Sequence, residues 1–177
     1  MTNDDNPDAV LSVYKQLYRV LKPGSYCVTF YGWTAIADFA RTWSDAGFRS
    51  VGHIVWPKSY ASRSNYMRYQ HESAFVLAKG YPPRPEHPIS DVQPWEYTGN
   101  RVHPTEKAVS VIAPLVRSFS KPGDLVLDPF LGSGTTAVAA VLTGRDYLGI
   151  ELEQQYCDLA KRRLAGVQRK YAQPLAA

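Results

Sequence analysis

A glycine-rich loop carries the strongest chemical signal in this sequence. Gly132 and Gly134 lie between a short apolar run that ends at Asp128 and a second apolar run that begins at Thr135. Glycines at a strand-to-helix turn let the backbone bend tightly and let a ligand approach with no Cβ in the way. In parallel α/β sheets, ligands bind beyond the carboxyl ends of the strands. The pattern therefore predicts a nucleotide-like ligand at this turn.

Two carboxylates narrow the chemistry of that ligand. Asp128 ends the strand before the loop, and Glu151 ends the next strand, where it could accept hydrogen bonds from ribose hydroxyls. The spacing from Gly132 through Gly134 to Ala137 also fits NAD-binding loops, which carry an acid about 20 residues further on. However, Asp128 would repel a pyrophosphate and would attract a cation by on the order of a few kcal/mol. We therefore favour S-adenosylmethionine as the ligand. The alternatives are NAD, which would indicate an oxidoreductase, and a tight turn that binds no ligand.

Apolar periodicity and chain breakers predict alternating helices and strands. Strands are predicted over residues 25–31, 49–56, 73–79, 124–128 and 146–150, and helices over 6–21, 34–46, 105–119, 135–142 and 153–164. Pro114 should kink or interrupt the third helix, because proline lacks the backbone N–H that a helix interior needs. This order of elements favours an α/β fold with a doubly wound, parallel sheet.

The composition is that of an ordinary soluble domain. The chain has 177 residues, of which 45% are hydrophobic and 20% charged, and its net charge is +4. Two cysteines exclude a disulfide scaffold, and no residues have metal-ligand spacing. Neither a signal peptide nor a membrane-spanning stretch is visible, so we predict a cytoplasmic protein. We predict a single domain, residues 1–177, whose halves over 1–80 and 105–177 are joined by a proline-rich loop over 81–104.

A second group of residues has the character of a nucleic-acid surface. Between residues 46 and 70 there is no acidic residue, while lysine, arginine and tyrosine alternate with small polar side chains. Such a strip can neutralise phosphates and contact bases, although a solvated loop has a similar composition. The candidate DNA contacts are Lys58, Arg63, Tyr66, Arg68 and, in the proline-rich loop, Arg101.

Two motifs together resemble one enzyme family. The loop reads Asp-Pro-Phe-x-Gly-Ser-Gly-Thr-Thr from Asp128, and it is preceded by His-Pro-Thr-Glu-Lys over 103–107. This pairing, with Arg-Val-Leu-Lys-Pro-Gly over 19–24 and His-Glu at His71, resembles the DNA methyltransferases that act on adenine N6 or cytosine N4. The resemblance covers most of the chain and departs from the family at Ala108, where proline is usual.

The resemblance implies a fold, a reaction and a set of site residues. The fold would be the Rossmann-like fold of S-adenosylmethionine-dependent methyltransferases, in the permuted order with the target-base half first. The reaction would be methyl transfer to an exocyclic amine of double-stranded DNA, with adenine N6 as the expected target. The implied cofactor contacts are His103, Thr105, Lys107, Asp128, Phe130, Gly132, Gly134, Thr135 and Glu151. Thr105 is also expected to be the N-cap of the helix that follows it. Lys107 could instead be an ordinary solvent-exposed residue of that helix.

One family element is missing from these 177 residues. Members carry an Asp/Asn/Ser-Pro-Pro-aromatic tetrapeptide, whose oxygen atoms accept the hydrogens of the target amine and whose ring stacks on the extruded base. Neither the segment that begins at Asn6 nor the one that begins at Tyr81 has these groups. We therefore expect a chain that begins downstream of the tetrapeptide and has five strands where the family has seven. Such a chain should transfer methyl groups poorly by itself, and no catalytic residue is assigned.

This absence leaves two alternatives open at the level of sequence. A catalytically inactive protein that binds DNA or cofactor would carry the same motifs. A homodimer, or a segment before residue 1, could supply the partners of strands whose edges are otherwise uncovered, since each unsatisfied backbone group costs about 1–3 kcal/mol.

Overall fold

The protein consists of two compact units, Met1–Pro94 and Trp95–Ala177. The computed structural model describes residues 7–62, 64, 66–99 and 106–172, and within these ranges it describes side chains from residue 10 to residue 167. The division between the units falls inside the predicted proline-rich loop over 81–104. The assignment of all 177 residues to one domain stays a prediction.

The first unit is built on a strand–helix–strand crossover. In chain order it contains α1 (Pro7–Val20), β1 (Tyr26–Phe30), α2 (Ile36–Ala46), β2 (Arg49–Pro57) and β3 (His71–Ala78). β3 lies in the middle of the sheet and pairs antiparallel with both β1 and β2. The two outer strands therefore run parallel to each other, as expected when a helix connects them.

The direction of β3 differs from the parallel sheet that the sequence predicted. The described residues between Pro57 and His71 contain no helix. Parallel neighbours need a crossover, usually a helix, whereas antiparallel neighbours can be joined by a loop. Because the chain returns through a loop, β3 pairs antiparallel with the strand before it.

Aromatic side chains form the core of the first unit. Tyr14 of α1 and Trp43 of α2 are buried with Leu77 of β3, and the two rings meet edge to face with centroids 5.9 Å apart. The Tyr14 hydroxyl also hydrogen-bonds to the Thr29 hydroxyl of β1 at 2.5 Å. Burial of such side chains contributes about 1.5–3 kcal/mol each. This packing fixes both helices against the sheet.

The second unit alternates helices with two parallel strands. It contains α3 (Val109–Phe119), β4 (Leu125–Asp128), α4 (Thr135–Leu142), β5 (Asp146–Gly149) and α5 (Gln154–Ala172). β4 and β5 pair in parallel, and Asp128 lies opposite Gly149. The carboxyl ends of both strands therefore meet at one edge of the sheet. This is the strand–loop–helix–strand arrangement that the glycine motif predicted.

The expected N-cap of α3 is wrong, and so is the expected interruption of this helix at Pro114. The helix begins at Val109 after an extended Ala108, so Thr105 is not its N-cap. The helix also continues through Pro114 without interruption. Ile112 and Leu115 are buried on either side of the proline. Their packing offsets the missing backbone hydrogen bond, which by itself disfavours proline in a helix interior.

Candidate active site

The glycine loop between β4 and α4 has a tight left-handed geometry. Gly132 and Gly134 have φ angles of 53° and 86°, in the region that favours glycine. Gly134 is the N-cap of α4. A Cβ built on Gly134 would lie 2.8 Å from the Cβ of Ala160 in α5. Gly134 therefore meets both a conformational and a steric requirement, because the loop packs directly against α5.

Backbone hydrogen bonds tie Glu151 to this loop. The N–H of Gly132 donates to Glu151 Oε2 at 2.8 Å, and the N–H of Glu153 donates to Oε1 at 2.9 Å. The N–H of Leu131 donates to the Ile150 carbonyl at 2.9 Å. These contacts bring the residues after β5 against the loop after β4. An ionised carboxylate has about four lone-pair sites, so both oxygens can still accept hydrogen bonds from hydroxyl groups.

Asp128 lies at the carboxyl end of β4, and its side chain hydrogen-bonds to the backbone two residues further along the chain. Its Oδ1 accepts the N–H of Phe130 at 3.0 Å, as aspartate side chains commonly do at turns. The Phe130 side chain is exposed. The turn thus fixes the direction of the Asp128 carboxylate and presents an aromatic ring beside it.

A polar network joins the loop to α5. Arg163 Nη1 donates to the Ser133 carbonyl at 2.8 Å and to the Ser133 hydroxyl at 2.6 Å. It also donates to Thr135 Oγ1 at 3.3 Å and lies 3.1 Å from Glu106 Oε1. Thr135, a predicted cofactor contact, is buried and directs its hydroxyl to Arg163. The Thr135 hydroxyl therefore binds Arg163, whereas the sequence predicted a contact with the cofactor.

The remaining predicted cofactor contacts lie in the 103–107 motif. His103 and Thr105 fall outside the described residues. Lys107 is partly buried, and its ammonium group lies 5.9 Å from the ring centroid of Trp95, at the outer limit of a cation–π contact. Lys107 is therefore not the fully solvated residue of the alternative interpretation.

The groups at this edge suit a cation that carries hydroxyls. Asp128 and Glu151 bring two carboxylates to the ends of neighbouring strands. A ligand with phosphates would meet like charge there, whereas an ammonium or sulfonium group would be attracted. Gly132 has a positive φ, which favours glycine, and no Cβ stands between its backbone and a ligand. These residues fit S-adenosylmethionine better than NAD.

The first unit contains an open cavity of about 450 Å³ with aromatic walls. Its lining residues come from the turn after β1, the loop after β2 and the start of β3, and its aromatic members are Tyr31, Trp33, Tyr66 and Tyr69. The rings of Trp33 and Tyr69 stack with centroids 5.4 Å apart and planes 29° apart. Trp33 is nevertheless 53% exposed. The stack therefore presents free ring surface to solvent.

An ion pair lies in the wall of this cavity. Lys58 Nζ is 2.7 Å from Glu72 Oε1 and donates a further hydrogen bond to the Ser62 hydroxyl. Only 2% of the Lys58 side chain is exposed, against 35% for Glu72. The Lys58 N–H bonds the Gln70 carbonyl at 2.8 Å, so the loop folds back over the lysine. This placement leaves Lys58 covered and paired, which differs from the solvated phosphate contact expected from sequence.

The other predicted DNA contacts are more accessible or fall outside the described chain. Tyr66 is 93% exposed, and Arg68 is also exposed. Arg63 and Arg101 lie outside the described residues. Tyr66 and Arg68 therefore meet the accessibility requirement of a DNA contact, and their role stays a prediction.

Sequence reasoning missed several residues of these two sites. Trp33 and Tyr69 are brought together from different segments of the first unit, and Glu106 and Arg163 are brought together in the second. The position of Trp33 just beyond the carboxyl end of β1 was a usable signal, since ligands bind at strand ends. Arg163 gave no such signal, because it looks like one member of a basic, solvated helix face.

The comparison with known families decides which chemistry applies. A sequence profile of the N6/N4-type DNA methylases matches residues 8–162. The chain belongs to this family. The N6/N4 DNA methylases are S-adenosylmethionine-dependent enzymes that methylate an amino group of a DNA base. The predicted family, enzyme class and cofactor are confirmed, and the NAD alternative is wrong.

Individual relatives support the same family and fold. YubD of Escherichia coli strain K12, named as a methylase, is 50% identical over 161 residues, which are 91% of this chain and 71% of that protein. The complex of M1.HpyAVI with S-adenosylmethionine has a TM-score of 0.78 at 26% identity, over 90% of this chain and 84% of that one. TTHA0409 of Thermus thermophilus, named as a DNA modification methylase and solved in complex with S-adenosylmethionine, has a TM-score of 0.74 at 27% identity, over 90% of this chain and 76% of that one. The predicted Rossmann-like methyltransferase fold class is thereby confirmed.

Two negative findings apply to the described part of this DNA methylase. No helix there is long and apolar enough to cross a bilayer. No group of three or more histidine, cysteine, aspartate or glutamate side chains there is placed to hold a metal ion.

Proposed function

We propose that this DNA methylase transfers the methyl group of S-adenosylmethionine to N6 of adenine in double-stranded DNA. The observation that supports the cofactor site is the meeting of Asp128, Glu151 and the left-handed glycine loop at one sheet edge. The choice of adenine over cytosine rests on the sequence as a whole, which resembles the adenine enzymes more closely than the cytosine enzymes.

The sheet edge at the glycine loop holds the cofactor in this proposal. When bound, S-adenosylmethionine supplies a methyl group activated by its sulfonium. Glu151, already fixed by two backbone N–H groups, uses its remaining lone pairs for ribose hydroxyls. Asp128 favours the positive charge, and the exposed Phe130 ring offers apolar surface. Lys107, with His103 and Thr105, closes over the methionine end.

The contribution of these residues to transfer is mainly positioning. The lone pair of an exocyclic amine is delocalised into the base, so the amine must be held in line with the methyl group for attack. Rigid acceptors reduce the entropy lost on reaching that geometry. Glu151 is such an acceptor, because backbone donors hold both of its oxygens.

DNA contacts lie around the aromatic cavity of the first unit in this proposal. The Trp33–Tyr69 stack and the exposed Tyr66 ring offer faces for a base taken out of the duplex. The exposed Arg68 would contact a phosphate. Arg63 and Arg101 stay candidate contacts, while Lys58 belongs to the cavity wall through its pair with Glu72.

The missing tetrapeptide limits what these 177 residues should do alone. They contain no Asp/Asn/Ser-Pro-Pro-aromatic segment, and so lack the group that would accept the hydrogens of the target amine. We expect cofactor binding with slow or undetectable transfer. A protein that binds cofactor or DNA without catalysis is therefore the second candidate function.

A methylation assay separates these possibilities. The purified chain is incubated with S-adenosylmethionine and duplex DNA, and the digested nucleosides are quantified by mass spectrometry. The matched sample is the same chain extended at residue 1 by a segment that contains Asp-Pro-Pro-Tyr. We expect N6-methyladenine from the extended chain and little or none from the 177-residue chain.

Each other outcome corrects one part of the proposal. N4-methylcytosine would overturn the choice of adenine. Robust turnover by the 177-residue chain would overturn its expected impairment. Cofactor binding with no transfer by either chain would favour the non-catalytic function.

A further inference from the structure

Arg163 connects two sequence segments that the proposed cofactor site needs. We propose that Arg163 is a positioning residue: its guanidinium fastens Glu106, in the motif predicted to close over the cofactor, to Ser133 in the glycine loop. We call Glu106, Arg163 and Ser133 the Arg163 clamp. This inference rests on the proposed cofactor site and assigns a role to three residues that are not among the predicted cofactor contacts.

The contacts of the clamp meet at one atom. Arg163 Nη1 lies 2.8 Å from the Ser133 carbonyl oxygen, 2.6 Å from the Ser133 hydroxyl and 3.1 Å from Glu106 Oε1. The Ser133 hydroxyl lies 3.5 Å from the same Glu106 oxygen. Nη1 carries two hydrogens, so these acceptors share them, and the guanidinium keeps its positive charge at every accessible pH.

The charged groups of the Arg163 clamp are largely shielded from water, so the loss of a contact is costly. The Glu106 side chain is only 7% exposed and that of Arg163 is 25% exposed, while Ser133 is buried. A covered carboxylate needs a partner, because an unpaired charge is costly away from water. Glu106 therefore stays paired with Arg163, and Arg163 also holds the Ser133 carbonyl of the loop.

The sequence neighbours of Glu106 and Ser133 link the Arg163 clamp to the proposed cofactor site. Glu106 stands between Thr105 and Lys107, and Ser133 stands between Gly132 and Gly134. One guanidinium thus sets the spacing between the 103–107 motif and the loop whose Gly132 N–H holds Glu151. Loss of the clamp should let both segments move and should weaken cofactor binding.

A merely structural ion pair would behave differently. It would change the free energy of unfolding, and cofactor affinity would follow stability. A positioning role predicts that affinity falls even in a variant whose stability is restored. Replacing both charged partners removes the orphaned buried charge that a single replacement leaves, so the double variant regains stability.

The experiment measures S-adenosylhomocysteine affinity by calorimetry and unfolding by urea, both on the full chain. The variants are Arg163→Met, Arg163→Lys, Glu106→Gln and the double variant Glu106→Gln/Arg163→Met. Arg162→Met is the matched control, because Arg162 is the adjacent α5 residue and its side chain is exposed. Hydrogen exchange of the peptide that contains residues 106–111 gives a readout that does not involve the cofactor.

We expect Arg163→Met to raise the dissociation constant at least tenfold and to speed exchange in that peptide, with Arg163→Lys intermediate. The double variant should regain stability and keep the weak affinity, and Arg162→Met should stay within twofold of wild type. If Arg163→Met does not fold, the affinities of Arg163→Lys and of the double variant decide the question.

Two results would overturn the clamp. One is an affinity within twofold of wild type in Arg163→Met, and the other is an affinity that returns with stability in the double variant. If wild type binds and Arg163→Met binds equally, only the clamp fails. If wild type does not bind S-adenosylhomocysteine at all, the proposed cofactor site fails and the clamp fails with it.

Discussion

The glycine loop and the aromatic cavity hold their functional groups by different means. In the loop, backbone N–H groups fix the carboxylate of Glu151, and residues close in sequence make the turn. In the cavity, ring stacking of Trp33 on Tyr69 and a covered Lys58–Glu72 pair position the walls. The loop geometry thus depends on chain conformation, whereas the cavity depends on side chains from separate segments.

The largest expected effect comes from removing the anchored carboxylate of the loop. Glu151→Ala loses the acceptor of two backbone N–H groups and the proposed partner of the ribose. Hydrogen bonds to charged groups contribute about 1.5–3 kcal/mol each, so affinity for S-adenosylhomocysteine should fall about 10- to 100-fold. Calorimetry checks this, with Glu153→Ala as the exposed neighbouring control. Equal affinity in Glu151→Ala would separate Glu151 from the cofactor.

A second change tests whether the loop depends on backbone conformation. Gly134→Ala places a Cβ 2.8 Å from Ala160 Cβ at a φ of 86°. We expect a loss of about 1–3 kcal/mol in the free energy of unfolding, measured in urea. Gly166→Ala in α5 is the control, because a Cβ there meets nothing within 4 Å. That change should stabilise the protein by about 0.5–1 kcal/mol, and equal behaviour of the two variants would contradict the account.

A third change tests the side-chain construction of the cavity. Trp33→Ala removes the ring that stacks on Tyr69 and is half exposed. Stacking of a base on an aromatic ring is worth about 1–3 kcal/mol, so DNA affinity should fall roughly 10-fold or more while S-adenosylhomocysteine affinity is unchanged. Trp33→Phe should keep most of the DNA affinity. Fluorescence anisotropy at fixed salt measures DNA binding and calorimetry measures the cofactor, and full DNA affinity in Trp33→Ala would remove the cavity from the DNA surface.

The smallest expected effect concerns the partly buried thiol of Cys27 in β1. Burial raises the pKa of Cys27 from its ordinary value of 9.0 to about 12. The unfolded thiol therefore ionises first, and folding stability should decline as pH rises from about 9 toward 12. Urea unfolding of Cys27→Ala against wild type across this range checks the sign. A difference between the two proteins that does not change with pH would contradict the burial argument.

The sequence predicted the loop far better than the cavity, for a physical reason. Gly132, Gly134 and the two carboxylates are read directly from a short segment and from the end of the next strand. Trp33 meets Tyr69 only because β3 returns antiparallel through a loop, and the sequence predicted a parallel sheet. Likewise Lys58 was predicted as a DNA contact, and its ion pair was not predicted because Glu72 lies on the following strand.

The same distinction explains the errors in the second unit. Pro114 was expected to break α3, but burial of Ile112 and Leu115 is a tertiary effect that local propensity does not contain. Arg163 is one of several basic residues of α5, and its contacts with Glu106 and Ser133 depend on packing between distant segments. Local chain geometry was predictable, whereas contacts between segments were not.

The central claim is that the carboxylates at the glycine loop select a phosphate-free, positively charged methyl donor. Calorimetric titration of the full chain with S-adenosylmethionine and, separately, with NAD tests it most directly. We expect one site per chain for S-adenosylmethionine and no measurable heat of binding for NAD. Binding of NAD in the absence of S-adenosylmethionine binding would contradict it.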